Sequence, residues 1–345
     1  MAVAELSQQG IIARKPRSLL SDSVNRLKKN KLAMVSMMFL LLMVLAAFPF
    51  ASLFTSGDFA KQDLMANSAL PQWVESTAIG RVVFSIIMPN NYENYVRYSD
   101  QFPLGADDLG RDLWTRTIYG ARISLSIAVV ASTVSLIIGT IYGLISGYIG
   151  GTVDNVMMRV VDFLYGFPFI VVVILLQTYF KALAKHGAEG SIGQVMVNLN
   201  NAMGGMFFLF IAIGLINWLG MARIARGQAL SIRKKEYVDA AKAVGAVDTR
   251  IIFRHILPNI LGPLIVMETL QIPGYIFLEA FLSFIGLGVN PPTPSWGIMI
   301  SEAAPAVRSY PNQLLPPALA LTFTTLAFNF LGDGLRDAFD PKMKE

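Results

Sequence analysis

Six apolar stretches, each long enough to cross a bilayer as a helix, run through this sequence. Because the hydrocarbon core of a bilayer is about 30 Å thick, a helix needs about 20 mostly apolar residues to cross it. Backbone polar groups find no water there, so such stretches fold as helices whose hydrogen bonds are made internally. The stretches are 32–54, 123–148, 156–180, 206–225, 260–287 and 314–331. The sequence therefore predicts an all-α polytopic membrane protein with six transmembrane helices.

Composition supports a lipid environment and removes several kinds of site. Charged residues make up 15% of the 345 residues, against about 25% in soluble domains. The chain has no cysteine, and its two histidines, His186 and His255, lie far apart in sequence. Neither a thiolate site nor an HExxH zinc site is therefore possible, and no nucleophile–base pair stands out. We expect no catalytic residue, no metal and no cofactor bound by this chain.

The basic residues predict which side of the membrane each end faces. Cytoplasmic flanks of membrane helices carry an excess of Lys and Arg. Such residues cluster before the first span and between the fourth and fifth spans, although Lys181 and Lys185 run against the pattern. The two clusters are Arg14, Lys15, Arg17, Arg26, Lys28, Lys29 and Lys31, and Arg226, Arg233, Lys234, Lys235, Lys242, Arg250 and Arg254. Both termini are thus predicted inside, and nucleic acid is not expected as a partner.

The spans divide the chain into five parts. These are a cytosolic basic segment (1–31), a first transmembrane helix (32–54), an extracytoplasmic insert (55–111), a core permease domain (112–332) and a cytosolic tail (333–345). The core holds five further spans and a cytosolic loop, 226–258. The first span follows a long basic segment and precedes five further spans, so we expect it to be a retained anchor and not a cleaved leader. Before it, Leu20, Val24 and Leu27 fit either an amphipathic helix on the inner surface or an unstructured basic tail.

The second span carries small residues at every fourth position. They are Ala131, Ser135, Gly139, Gly143, Gly147 and Gly151. Residues four apart lie on one side of a helix, and a ridge of small residues lets two membrane helices approach closely. We therefore predict helix packing at Gly139, Gly143 and Gly147. A contact within the chain is favoured over a subunit interface.

Acids and prolines interrupt two of the spans. Asp162 and Pro168 lie in the third span, and Glu268, Pro273 and Glu279 lie in the fifth. Acids inside a span are costly and face protein or water, while prolines free backbone carbonyls and bend helices. These five residues are candidates for a pathway or its gate. Structural pairing, for Asp162 with Arg159 or another subunit, is the competing interpretation.

The segment 233–258, on the predicted inner side, is the most informative part of the sequence. Apolar positions after Glu236 have helical spacing, and Gly245 stands where such a helix ends. A second amphipathic stretch, 250–254, follows, and Pro258 closes it as the chain re-enters the membrane. A short helix, a turn and a lever joined to a span suit mechanical contact with a cytosolic partner.

At these residues the chain resembles the permease family of ATP-binding-cassette importers. Their cytosolic loop carries Glu-Ala-Ala, three residues, Gly, nine residues and Ile-x-Leu-Pro. Here Asp239 replaces the Glu and keeps the charge, while His255 replaces the Ile and is read as a packing or surface residue, not a ligand. The resemblance implies a type I importer permease fold. It assigns contact with an ATPase to Glu236, Tyr237, Asp239, Ala240, Ala241, Gly245, Leu257 and Pro258.

Further segments resemble one branch of that family, the second permease of oligopeptide and dipeptide importers. These segments are 103–112, 119–125, 279–288, 291–297 and 332–341. The resemblance covers the first span and the chain from about residue 103 onward, but leaves residues 58–102 unexplained. It implies import of a peptide through a prokaryotic inner membrane. The implied partners are a homologous second permease, two cytosolic ATPases that bind ATP and Mg, and an extracytoplasmic binding protein.

Other functions compete with this interpretation. The same fold imports nickel or oligosaccharides in related systems. An ion-gradient-driven secondary transporter would explain the intramembrane acids but not the spacing from Asp239 to Pro258. The glycines of 105–110 have the spacing of a phosphate loop, yet Arg111 and Asp112 stand where Lys and Ser or Thr are needed, so no nucleotide site is predicted here.

Overall fold

The computed structural model describes residues 19–55, 57–87, 98–186 and 191–339, and at positions 19–22, 181, 183–186 and 191–192 it describes the backbone alone. Long helices in these ranges are α2 (Lys31–Ala47), α6 (Leu113–Ile149), α7 (Gly151–Tyr165), α8 (Phe169–His186), α10 (Met206–Ile232), α13 (Leu257–Phe284) and α15 (Leu315–Phe339). Shorter helices are α1 (Leu19–Lys29), α3 (Ala51–Phe54), α4 (Gln72–Ser76), α5 (Ala78–Ile87), α9 (Ser191–Ala202), α11 (Glu236–Ala243), α12 (Asp248–Ile251) and α14 (Trp296–Ala303). Strands β1 (Leu70–Pro71) and β2 (Tyr98–Ser99) pair in parallel. Parts of the predicted cytosolic segment (1–18), insert (88–97) and tail (340–345) lie outside the described residues, as does the Leu20 side chain.

The described part of the chain contains four to six candidate membrane spans, by length and composition. Leu113–Ile149, Met206–Ile232, Asp248–Phe284 and Pro311–Phe339 are long and apolar enough by themselves. Two bent helix pairs bring the number to six if each counts as one span. In the first pair, α1 meets α2 at 93°, and in the second, α7 meets α8 at 76°.

The third predicted span, 156–180, is a broken helix. α7 ends at Tyr165 and α8 starts at Phe169. Pro168 has no N–H to donate and disfavours helical geometry at Phe167, which explains the site of the break. Non-helical backbone at membrane depth occurs where it is buried in protein or lines a cavity.

The second span begins ten residues before its predicted start. The Asp112 carboxylate caps the helix by accepting from the backbone N–H of Trp114 at 3.0 Å. Arg116 lies inside α6, and its guanidinium pairs with Glu302, 2.7 Å away. Charges that are paired within the protein do not end a membrane helix.

The packing of α6 on α10 depends on the small-residue ridge. A Cβ placed on Gly143 would lie 2.2 Å from the carbonyl oxygen of Ala222, and one on Gly147 would lie 2.6 Å from that of Arg226. At Gly139 the nearest atom would be the Met221 Cβ, 2.6 Å away. No side chain fits at those distances, so the two backbones approach closely within one chain.

The segment that precedes α2 is helical as well. Asn30 separates α1 from α2, and its side chain accepts from the backbone N–H of Ala33 at 3.1 Å. Both helices pack against α15, where a Cβ on Gly334 would meet Ala33 and Leu27. The helical alternative for the segment with Val24 and Leu27 is therefore the correct one. Its location on the inner membrane surface stays a prediction.

Candidate functional site

The short helix predicted at Glu236 is present as α11 and ends as its sequence requires. Glu236 and Asp239 lie in its first turn and Lys242 in its last, which suits the helix dipole. Gly245 then adopts φ +82°, a left-handed conformation that non-glycine residues adopt at a cost. Its N–H bonds to the carbonyl of Lys242 at 2.9 Å. The chain consequently turns sharply and enters α12.

One side of this segment is buried and the other is exposed. Val238 and Ala241 are buried, while Leu257 is half-buried. The remaining predicted contact residues are exposed: Glu236, Tyr237, Asp239, Ala240, Gly245 and Pro258. Val244 beside them is 85% exposed. We call these exposed residues the coupling surface.

The anchor is a hydrophobic core shared between the segment and three membrane helices. Val238 and Ala241 belong to the same buried cluster as Leu144 of α6, Ala225 of α10 and Leu264 of α13. A π-helical turn, Ile252–Ile256, joins α12 directly to α13. Cores of this kind are close-packed and transmit displacement. Movement of α11 is therefore mechanically linked to the ends of the membrane helices.

Polar contacts between residues far apart in the sequence reinforce this anchor. The Arg233 guanidinium donates to the carbonyl oxygen of Tyr148 at 2.7 Å, across from α10 to α6. Arg226 forms a two-pronged ion pair with Asp154 of α7, which also accepts from Ser146. In the sequence these arginines were visible only as inside-facing cations, because their partners lie 72 to 85 residues away.

A cavity of about 240 Å³ opens at the break between α7 and α8. It brings together Glu268 from α13 with residues of α6, α7, α8 and α10. Lining residues are Ser135, Leu164, Tyr165, Phe167, Phe169, Ile216, Asn217, Leu219, Gly220, Met221, Ile224, Glu268, Gln271 and Tyr275. Of the five pathway candidates, Glu268 alone lines the cavity, while Pro168 lies between two lining residues.

The other pathway candidates lie elsewhere. Asp162 is exposed and pairs with Arg223 at 2.7 Å, not with Arg159 as the sequence suggested. Glu279 is fully buried and accepts hydrogen bonds from Ser124 at 2.7 Å and Ser283 at 2.6 Å. Pro273 is buried inside α13. Glu279 and Pro273 thus occupy packed positions, and the five residues do not form one site.

A buried ion cluster fixes the region that carries the 103–112 motif. Arg111 donates to Asp107 at 2.6 Å and to Glu302 at 2.9 Å. Arg116, only 1% exposed, reaches the same Glu302 oxygen at 2.7 Å. Glu302 lies on α14, so the cluster ties the end of the insert to that helix. Local sequence patterns do not indicate this pairing, because the partners are 186 and 191 residues apart.

The bundle of apolar helices, the broken span and the helical segment anchored to their ends define the membrane-spanning component of a transport system. The chain belongs to the family of binding-protein-dependent transport system inner membrane components, whose family model matches residues 139–345. A second model, the N-terminal TM domain of oligopeptide transport permease C, matches residues 18–71. The resemblance drawn from Asp239 to Pro258 is thereby confirmed.

Individual relatives agree with the family. The chain is 38% identical over 344 residues to the oligopeptide transport system permease protein OppC of Bacillus subtilis, which covers 100% of this chain and 96% of that protein. It is 38% identical over 334 residues to the dipeptide transport system permease protein DppC of the same organism, covering 96% and 89%. Over 238 residues it is 46% identical to OppC of Escherichia coli K12, covering 69% and 72%. The first alignment includes the insert, which the sequence motifs left unexplained.

Proposed function

We propose that this chain is one of two homologous permease subunits in an ATP-driven importer of peptides. The observation that carries the proposal is the shared core of Val238, Ala241 and the three membrane helices. This core joins α11, which has an exposed side, to the membrane helices. A permease that is moved by a separate ATPase subunit needs such a connection. The oligopeptide and dipeptide names of the relatives favour peptides over nickel or oligosaccharides.

The working parts follow from this arrangement. Two cytosolic ATPases bind ATP and Mg²⁺, and one of them docks on the coupling surface around Tyr237 and Ala240. The chain itself supplies no catalytic residue. Closing of the ATPases moves α11, and the common core passes that movement to α6, α10 and α13. The pathway then alternates between two states, as a population shift driven by ATP binding.

Topology completes the proposal. In this proposal the chain crosses the membrane six times, counting each bent pair as one span, and the basic segments keep both termini and the coupling surface in the cytosol. The insert then faces outward, where an extracytoplasmic binding protein delivers the peptide. A second permease covers the exposed apolar sides of this chain, among them Val160 and Phe163 of α7.

Purification of the tagged chain in mild detergent, with mass spectrometry of what accompanies it, tests the proposal. We expect a second permease and two ATPases. Recovery of the chain alone, folded and monodisperse, would overturn the ATP-driven mechanism in favour of an ion-gradient-driven transporter.

A matched pair of variants locates the ATPase contact. Ala240→Arg places a large cation on the coupling surface and is expected to lose the ATPases while keeping the second permease. Met65→Arg makes the same kind of change at an 88% exposed position in the insert and should keep both. Equal recovery of the ATPases with the two variants would contradict docking at α11.

A further inference from the structure

The cavity beside the broken span has an acidic character. Glu268 is the only ionisable acid or base among its lining residues other than tyrosines. Glu268 is 4% exposed. In the described part of the chain, no Lys, Arg or His nitrogen lies within 4.0 Å of its carboxylate oxygens. A buried carboxylate without a cation is costly. A positive group that entered the cavity would therefore be stabilised beside Glu268.

The carboxylate is held in place but not saturated. One oxygen accepts from the Tyr275 hydroxyl at 2.8 Å, and the other accepts from the Ser135 hydroxyl at 3.2 Å. A carboxylate offers about four acceptor positions, so about two remain. Tyr275 and Ser135 come from different helices, which fixes the orientation of Glu268 from two sides.

The rest of the lining suits an organic cation attached to amides. Asn217 and Gln271 place two carboxamides on the cavity, and the aromatic rings of Tyr165, Phe169 and Tyr275 also line it. Aromatic faces attract cations, and carboxamides donate to and accept from peptide groups. At about 30 Å³ per water molecule, the volume of about 240 Å³ holds about eight waters. That is below the usual range for a whole drug-sized ligand and fits one end of a chain.

We propose that Glu268 binds the α-ammonium group of a peptide during its passage, so that the cavity receives the amino-terminal residue. This inference rests on the proposed function, because it takes the substrate to be a peptide. Of the two charged ends of a peptide, only the ammonium is complementary to a cavity with an acid and no base. Tyr275 and Ser135 are positioning residues that hold the carboxylate toward the cavity.

Glu279 offers a matched comparison within the same helix. It is likewise a buried acid with hydroxyl partners, Ser124 and Ser283, but it does not line the cavity. Glu268→Gln and Glu279→Gln each replace a carboxyl group of α13 by a carboxamide of the same shape. A general effect of neutralising an acid in α13 would therefore appear with both, and a binding effect would appear only with Glu268→Gln.

The test is equilibrium binding of radiolabelled trialanine to the complete membrane complex in lipid nanodiscs, without the binding protein, against competition by N-acetyl-trialanine. The wild type is expected to bind the free-amino form about tenfold more tightly, as for loss of one charge-assisted hydrogen bond. Glu268→Gln should abolish that difference, and Glu279→Gln should keep it. Competition by NaCl, in place of N-acetyl-trialanine, shows whether an inorganic cation occupies the cavity instead.

Four outcomes would overturn the inference: no binding by the wild type, no preference for the free amine, an undiminished preference in Glu268→Gln, or displacement of trialanine by sodium at equal concentration. The proposed function is checked separately, by ATP-driven uptake of trialanine into proteoliposomes that contain the wild-type complex and its binding protein. Uptake by the wild type with an unchanged preference in Glu268→Gln would remove the ammonium site and leave the importer.

Discussion

The hydroxyl of Tyr148 donates a hydrogen bond to the Asp248 carboxylate, 2.5 Å away and 100 residues later in the chain. Tyr148 lies in the last turn of α6, and Asp248 is the first residue of α12. The Lys242 ammonium of α11 lies 5.8 Å from the centre of the same ring. Tyr148 thus connects α11 and α12 to α6, a helix of 37 residues.

Tyr148→Phe should reduce peptide uptake per ATP hydrolysed without preventing assembly. The ring and its packing remain, but the hydrogen bond to Asp248 is lost, a change of about 1 kcal/mol or a factor of about five in the equilibrium that holds the segment to α6. Uptake and ATP hydrolysis measured on the same proteoliposomes give the ratio. Tyr142→Phe is the control, because the Tyr142 hydroxyl donates to the Met157 carbonyl of α7, away from the segment. An equal fall in both variants would argue against the linkage.

Gly143→Ala should destabilise the folded chain. The added methyl would lie 2.2 Å from the Ala222 carbonyl oxygen, so α6 and α10 must separate, and overpacking costs about 1–3 kcal/mol. The thermal midpoint of the detergent-purified protein should fall. Gly227→Ala on α10 is the matched control, since a methyl there meets no atom within 4 Å. Leu at Gly139, Gly143 and Gly147 together should prevent accumulation of folded protein, and normal levels of that triple variant would refute the close packing.

The sequence predicted the features that depend on local pattern. The stretches 206–225, 260–287 and 314–331 correspond to α10, α13 and α15, because apolar length is what the bilayer selects. The coupling helix begins at Glu236 and turns at Gly245 as expected, because spacing and a left-handed glycine are local properties.

Features that depend on distant partners were not predictable in this way. The apolar pattern puts the start of the second span at residue 123, yet α6 starts at Leu113, because Glu302, 186 residues from Arg116, lets that arginine lie inside the helix. The cavity around Glu268 needs residues from five helices, and their convergence follows from packing angles that no single stretch encodes. The 76° bend at Phe167 likewise exceeds what Pro168 alone indicates.

Glu302→Gln should weaken the attachment of the insert. Two buried guanidinium groups, of Arg111 and Arg116, share one Glu302 oxygen, and breaking a buried pair costs about 3–5 kcal/mol. Because Glu302 is partly solvated, we expect a loss of stability of about 3 kcal/mol or less. It should appear as faster proteolysis of the insert and a lower thermal midpoint. Asp108→Asn is the control: Asp108 is 4.0 Å from Arg111 with a 61% exposed side chain, and exposed pairs contribute about 0–1 kcal/mol. Similar losses in both would contradict a buried cluster.

Gly245→Val should uncouple ATP hydrolysis from uptake. Nothing lies within 4 Å of a Cβ at Gly245, so the effect comes from the backbone alone: its φ of +82° costs a β-branched residue about 1–2 kcal/mol or more. Gly245→Asn separates this cause from side-chain contact with the ATPase, because Asn tolerates the left-handed region. Uptake should be largely retained with Asn and lost with Val, while ATPase activity persists in both. Normal uptake with Val would remove the lever from the mechanism.

Two single cysteines decide the orientation of the whole chain. The sequence contains no native cysteine, so a membrane-impermeant maleimide reports only the introduced position. Ser76→Cys lies on an exposed residue of the insert, and Val244→Cys lies on the coupling surface at a position that is 85% exposed. In right-side-out vesicles we expect Ser76→Cys to be labelled at once and Val244→Cys only after the membrane is permeabilised. The inverted result would place the insert in the cytosol and the coupling surface outside, where no ATPase could reach it.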